Sequence, residues 1–289
     1  MRTLAPHPTL APFVRDVMIV EVGDEIRRLR MPEPGLVLAV RYRGFASIRG
    51  SNEEKRIPDV CLTGMTLRAR EMRTSANGGV VLVRFRPGGA ARFFAAPLHE
   101  LLGASVALSD VAPGAGVARL HDRVRAAPED GERARAVEAF LFAQQRDHTD
   151  PIVATAVRHL SEANGIERTT VGALAASAGL SLDAFEKRFR RVVGCSPKQF
   201  ALQSRLRRAI DSYHPGVSLT QLALDAGYYD QAHFNRDLRT VTGKAPGELF
   251  QLLDLHGAKR SVEHARRREP STAEARAPRR PARRSPPAS

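Results

Sequence analysis

The chain has 289 residues, with 45 Lys or Arg against 31 Asp or Glu and a formal net charge of +14. That length predicts two domains, and the basic balance predicts an anionic partner such as nucleic acid. Its 2 cysteines, Cys61 and Cys195, stand at no metal spacing, which argues against a disulfide framework or a zinc site and fits a reducing compartment.

The first 130 residues read as strands. IVEV, GLVLAVRYRG, FASIRG and GGVVLVRFRPGG are short runs rich in Val and Ile and cut by Gly and Pro, the pattern of a small antiparallel barrel or sandwich. LVLAV and VVLVRF are continuous enough to be interior strands. RYR and RFR alternate, which predicts one wet face. RFRPGG reads better as a strand ending in a turn than as an anion cradle. Helix is expected over AARFFAAPLHELLG, again from Gly116 to Arg125, and from Glu132 to Gln145 with Val137, Phe140 and Leu141 on one side. The last of these leads into Pro151, the first residue of the next helix. His7, His99 and His121 stand singly, as structural histidines do, and no phosphate loop, catalytic carboxylate pair or nucleophile–base pair is visible. No enzyme activity and no cofactor are expected.

From Thr170 to Phe250 the chain repeats itself. Leu174, Ala175, Ala178 and Gly179 recur 48 residues later as Leu222, Ala223, Ala226 and Gly227. Phe185, Phe189, Gly194 and Pro197 recur 49 residues later as Phe234, Leu238, Gly243 and Pro246, so the second turn holds one extra residue. Each copy spells two helices. An apolar stripe at i, i+3, i+4 and i+7 marks the first, and Gly179 or Gly227 ends it where a positive φ is needed. Ser218 with Gln221, and Ser196 with Gln199, read as capping boxes. Proline at 197 occupies the tolerated first helical position. In the second helix of each copy, Phe185, Phe189 and Val192, or Phe234, Leu238 and Val241, form the buried side. The opposite sides carry Asp183, Glu186, Lys187 and Arg190 in the first copy. In the second they carry Gln231, Ala232, Asn235, Arg236 and Arg239. His233, beside Phe234, reads as a packed helix residue. Such a pair of units is a helix-turn-helix repeat, whose polar faces suit base edges and phosphates.

The segment A-x-x-x-G-Y-x-D-x-x-x-F-x-R-x-L-R-x-x-x-G-x-x-P, from Ala223 to Pro246, resembles the DNA-binding module of AraC-type regulators. The likeness covers roughly residues 150 to 253, including a joining helix from Ser196 to about Tyr213. Ala245 departs from it, since Ser or Thr usually precedes that proline; the lost cap costs about 1 kcal/mol. Asp183 and Glu186 are a second departure, acids on a reading helix, and imply that the first unit grips DNA less strongly. RFRPGGAARFF followed by PLHELLGASVALSDV is similar to an uncharacterised domain that precedes such modules in bacteria.

The resemblance implies a bacterial, cytoplasmic, nucleoid-associated transcription factor of the activator type, whose partners are an operator duplex and RNA polymerase. It leaves open a small-molecule effector and a homodimer. No apolar run reaches membrane-spanning length, and prolines break MRTLAPHPTLAPF where a secretory leader needs a continuous apolar core. Base contacts are expected from Asp183, Glu186, Lys187, Arg190, Gln231, Ala232, Asn235 and Arg236. Phosphate contacts are expected from Thr170, Lys198, Arg205, Ser218, Arg239 and Lys244. The expected fold class is α+β: a sensor or dimerisation domain over 1–130, a small antiparallel β barrel or sandwich with helices. A helical linker follows over 131–150, then the all-α double helix-turn-helix module over 151–255 and a disordered basic tail over 256–289. That tail holds 10 basic and 3 acidic residues, half of the net charge, and reads either as a non-specific DNA tether or as an extension without a role. The competing class is a ligand-binding barrel whose helical module is mainly a protein-interaction surface. Alkyl transfer from DNA to a cysteine is disfavoured, because VCLTG and GCSP surround their cysteines with no further Cys or His.

Overall fold

The computed structural model describes residues 1–50, 53–147, 149–162 and 170–252; the basic tail expected over 256–289 lies outside these. The strands are β1 (Arg2–Leu4), β2 (Val14–Glu21), β3 (Ile26–Arg30), β4 (Val37–Arg43), β5 (Ala46–Arg49), β6 (Glu54–Arg56), β7 (Val60–Thr63), β8 (Arg70–Thr74), β9 (Gly79–Phe85) and β10 (Ser105–Ala107). They make two antiparallel sheets. One has the order β1-β2-β9-β4-β7-β10 and the other β3-β8-β5-β6. The front of the chain is thus a sandwich, with β4 and β9 interior to the larger sheet as their unbroken apolar runs predict.

Strand alternation sorts the side chains of the larger sheet between two cores. Leu38, Val40 and Tyr42 of β4 join Val81, Val83, Val17 and Ile19 in a core that continues into the helices. Ala39, with Met18, Cys61, Val80 and Leu82, points the other way, against Ala46, Ile57, Ile48 and Met72 of the smaller sheet and its flank. The wet face expected at RYR survives only at the strand's end: Arg43 is exposed, whereas Arg41 is 6% exposed. Alternation says which residues share a face, but not whether a second sheet covers it.

The helices are α1 (Gly114–Ala126), α2 (Asp130–Gln144), α3 (Pro151–Glu162), α4 (Val171–Ser177), α5 (Leu182–Val193), α6 (Pro197–Ser212), α7 (Leu219–Asp225) and α8 (Gln231–Thr242). The segment AARFFAAPLHELLG is not one helix. It folds as two short 3-10 turns, Gly89–Arg92 and Leu98–Leu101, separated by Pro97, which disfavours helix in the residue before it. Val137, Phe140 and Leu141 are buried on α2 as their spacing requires. Residues 1–245 form one compact unit, and a second begins at Pro246; its described residues, 246–252, are helical. Within the first unit a single apolar core runs from the sandwich through α1 and α2 to α3 and α5.

Candidate nucleic-acid interface

Two helix pairs, α4–α5 and α7–α8, carry the repeated sequence. Their turns are built as the glycines predict: Gly179 has φ 67° and Gly227 φ 84°, both left-handed. Ser181 caps α5 by accepting from the Ala184 amide at 3.3 Å, and Gly194 closes it at φ 101°. Asp230 caps α8 by accepting from the His233 amide at 2.6 Å, and Gly243 closes it at φ 71°. Phe185 and Phe189 are buried against Phe200 of α6, the second and third rings 5.8 Å apart. Phe234, Leu238 and Val241 are buried under α8. Tyr228 packs on Phe234 and, edge-on, on His233, with ring centroids 5.3 and 5.2 Å apart. Burial pushes the Tyr228 hydroxyl well above its usual range, with Asp237 adding to the rise.

Of the two capping boxes, only Ser196–Gln199 forms, with both reciprocal bonds. Ser218 makes no side-chain cap. Gln221 instead donates to Asp225 one turn further on, at 2.7 Å, so the box is lost to an i,i+4 pair on the same helix.

The outer faces of the two reading helices differ in charge. On α5 every acid is matched: Lys187 pairs with Asp183 at 2.9 Å and Arg190 with Glu186 at 3.0 Å. On α8, Arg236 and Arg239 are exposed and make no ion pair among the described residues. Ala232 is exposed beside them. Gln231 is half-buried and accepts from the Thr220 hydroxyl at 2.7 Å, which ties the first turn of α8 to α7. Asn235 is half-buried with its Oδ1 enclosed and unpartnered. Exposed i,i+4 pairs are worth a few tenths of a kcal/mol, so the bases of α5 are held only weakly from DNA.

The residues expected at phosphates fall into two groups. Lys198 is exposed in the first turn of α6, Ser218 precedes α7 with its hydroxyl free of any cap, and Arg239 lies in the last turn of α8. Thr170 caps α4, accepting from the Ala173 amide at 3.1 Å, and Lys244 follows the closing glycine of α8. Arg205 does not stand on an open face. Its guanidinium lies over the Tyr228 ring at 5.1 Å with Nε enclosed, a packing role shared by Arg208, which donates to the Ser161 and Ala226 carbonyls.

Three features escaped the sequence reading. Arg191 is exposed on α5 and shares a recess with Lys187, Arg188, Arg190, Pro97 and His99. Arg188 pairs at 2.6 Å with Asp150, which also caps α3 through the Val153 amide. Tyr229 is 86% exposed and directly precedes the cap of α8. It is the extra residue of the second turn. The doubled aromatic at 228–229 was the available signal, since one repeat has room to bury only one of the two.

Among the described residues no group of His, Cys, Asp or Glu is arranged to hold a metal ion, and no helix is long and apolar enough to cross a membrane. Comparison with protein families places residues 174–251 in the family described as "Helix-turn-helix domain" and residues 2–107 in a "Domain of unknown function (DUF6597)". No curated protein matches the chain. Among solved structures it is similar to ToxT from Vibrio cholerae, at 12% identity, covering 82% of this chain and 97% of that one with a TM-score of 0.44. It is also similar to the DNA-binding domain of AdpA in complex with a target DNA, at 27% identity over 42% of this chain and 100% of that one, TM-score 0.29. A DNA-binding transcriptional dual regulator from Escherichia coli matches at 23% identity over 36% of this chain and 94% of that one, TM-score 0.30. The chain therefore carries a helix-turn-helix domain over residues 174–251. Its module is of the AraC type, and it stands behind a front domain of unknown function.

Proposed function

We propose that the protein reads two successive major-groove segments of one operator, α5 entering one and α8 the next. The observation that carries this reading is the duplication itself: two capped helices of 12 residues each, joined by α6, each buried on one side and polar on the other. Two such helices joined by a rigid third suit grooves about one DNA turn apart, roughly 34 Å. Gln231, Ala232, Asn235 and Arg236 supply base contacts from α8. Asp183, Glu186, Lys187 and Arg190 supply them from α5, where the internal ion pairs make the readout weaker. Thr170, Lys198, Ser218, Arg239 and Lys244 hold phosphates and fix the register, and Arg191 joins them. Arg205 serves instead as a brace on Tyr228. The front 130 residues act as a sensor, and RNA polymerase and a second copy of the chain are the macromolecular partners of this reading besides the operator.

Selection of bound sites from random duplex DNA tests it. The expected product is a bipartite motif with two conserved blocks about one turn apart, the block under α8 the better defined. A gel shift with no sequence-selective band at moderate salt would instead make the module a protein-interaction surface.

A further inference from the structure

Between the two sheets of the sandwich lies a cavity of about 160 Å³, measured as space open to the centres of water-sized molecules. One water needs roughly 10–15 Å³ on that scale, so the space is large enough for a small organic molecule. Its walls are largely aliphatic, among them Val20, Val37, Ile48, Ile57, Met72 and Leu82.

Into this apolar space the chain places a cation. Arg41 lines the cavity, and its cross-strand partner is Val80, as Ala39's is Leu82. Directly paired residues share a face of a sheet, so Arg41 faces the smaller sheet. It is 6% exposed, its Nε is enclosed without a hydrogen-bond partner, and it makes no ion pair among the described residues. Asp59, whose carbonyl accepts from the Arg41 amide, directs its carboxylate to Arg56 at 3.8 Å. Arg28, Arg30 and Arg70 also line the space, against the single carboxylate of Glu33. That carboxylate is taken by Arg15 at 2.8 Å, Arg84 at 3.6 Å and Arg207 at 3.7 Å.

The Asp59 carboxylate tempers the Arg41 charge without pairing with it, and burial outweighs that help; a buried charge with no direct partner is costly. Packing alone would be served better by Met or Leu at position 41. We propose that the cavity binds a small organic acid, with its hydrocarbon body between the sheets and its carboxylate paired with the Arg41 guanidinium. This rests on the sensor reading of the front residues and gives that sensor a ligand class and a site. The cavity also has a route to the DNA module. Gly64 and Thr66 line it, and they belong to the segment whose Met65, Leu67 and Ala69 touch Cys195, Gln203 and Val241.

The test is isothermal titration of the full-length protein with octanoate and 2-naphthoate and with their uncharged counterparts octan-1-ol and 2-naphthol. The two acids separate a chain-like from an aromatic body. Saturable binding of at least one acid is expected, with octanoate preferred over octan-1-ol or naphthoate over 2-naphthol by about ten- to a hundredfold, the worth of a charge-assisted hydrogen bond. R41M should erase that preference while melting no lower than the parent, because it removes an unpaired buried charge. R41K should keep part of it, and A39F should block both acids by filling the cavity. Failure of both acids to bind, equal binding of the uncharged partner, or a preference that survives R41M would each overturn the proposal. Operator affinity with and without the bound acid reads the other question: an unchanged value would leave the site standing and remove the sensor reading.

Discussion

Arg236 lies on the reading face of α8, whose arginines make no ion pair among the described residues, which makes it the residue where specificity is most exposed to mutation. Arg236→Ala should cost about 1–3 kcal/mol of operator binding if the guanidinium grips a guanine. Base preference should relax at one position, while circular dichroism stays unchanged; an unaltered binding profile would remove Arg236 from the readout. The two cysteines give an opposite expectation. Burial pushes the Cys61 thiol up to about 11 and the Cys195 thiol to about 12, and both are 1% exposed. The thiolate is the reactive form, so neither should react with Ellman's reagent until denaturant is added. Rapid labelling of the native protein would reopen the alkyl-transfer chemistry that VCLTG and GCSP argue against. At this scale the readable residues were those inside a repeated pattern, such as Phe189 against Leu238 or Gly194 against Gly243. Arg41 and Tyr229 were opaque for one reason: burial of a cation and exposure of an aromatic are decided by what covers a face, which spacing does not encode.

The helices were legible because their ends carry local chemistry. Ser196, Pro197 and Gln199 mark the start of α6 in the sequence and make the bonds in the fold. Gly179, Gly194, Gly227 and Gly243 all adopt the positive φ expected of helix-ending glycines. The failure at Ser218 is equally local, since two candidate partners competed for Gln221 and Asp225 won. This contrast gives a prediction. Asp230→Ala removes a 2.6 Å cap from the start of α8 and should cost about 1 kcal/mol, weakening operator binding with it. Ser218→Ala removes no cap and should leave stability within a few tenths of a kcal/mol. Urea denaturation of the two variants beside the parent measures both, and equal losses would mean that the caps do not carry the difference. In the front domain, strands β4 and β9 were readable from their unbroken apolar runs. The 3-10 turns after them were not, since AARFF and LHELL have helical composition but are held short by Pro97 and by burial of Phe93 and Phe94.

For the whole molecule, the division into a strand-rich front and a helical back was visible as a change of pattern at about residue 130. The joint between them was not, because its contacts are made by residues far apart in sequence. Met65, 0% exposed, receives the Cys195 thiol at 3.4 Å, the Gln203 amide donates to the Leu67 carbonyl at 3.1 Å, and the Ala69 amide donates to Val241 at 2.7 Å. One segment between β7 and β8 thus meets α6, the turn that follows α5 and the last turn of α8. Arg207 of α6 adds an ion pair with Glu33 at 3.7 Å. A shared core of this kind should unfold together. Met65→Ala deletes a fully buried side chain at the joint and should destabilise the protein by about 2–5 kcal/mol. The loss should appear in both halves at once. Urea unfolding followed by far-ultraviolet circular dichroism and by operator binding should then give coincident transitions, as two-state behaviour demands, shifted together in the variant. If binding is instead lost at a denaturant concentration well separated from the loss of strand signal, the halves fold independently. The joint would then be a docking contact, and a signal in the front domain would need some other path to α5 and α8.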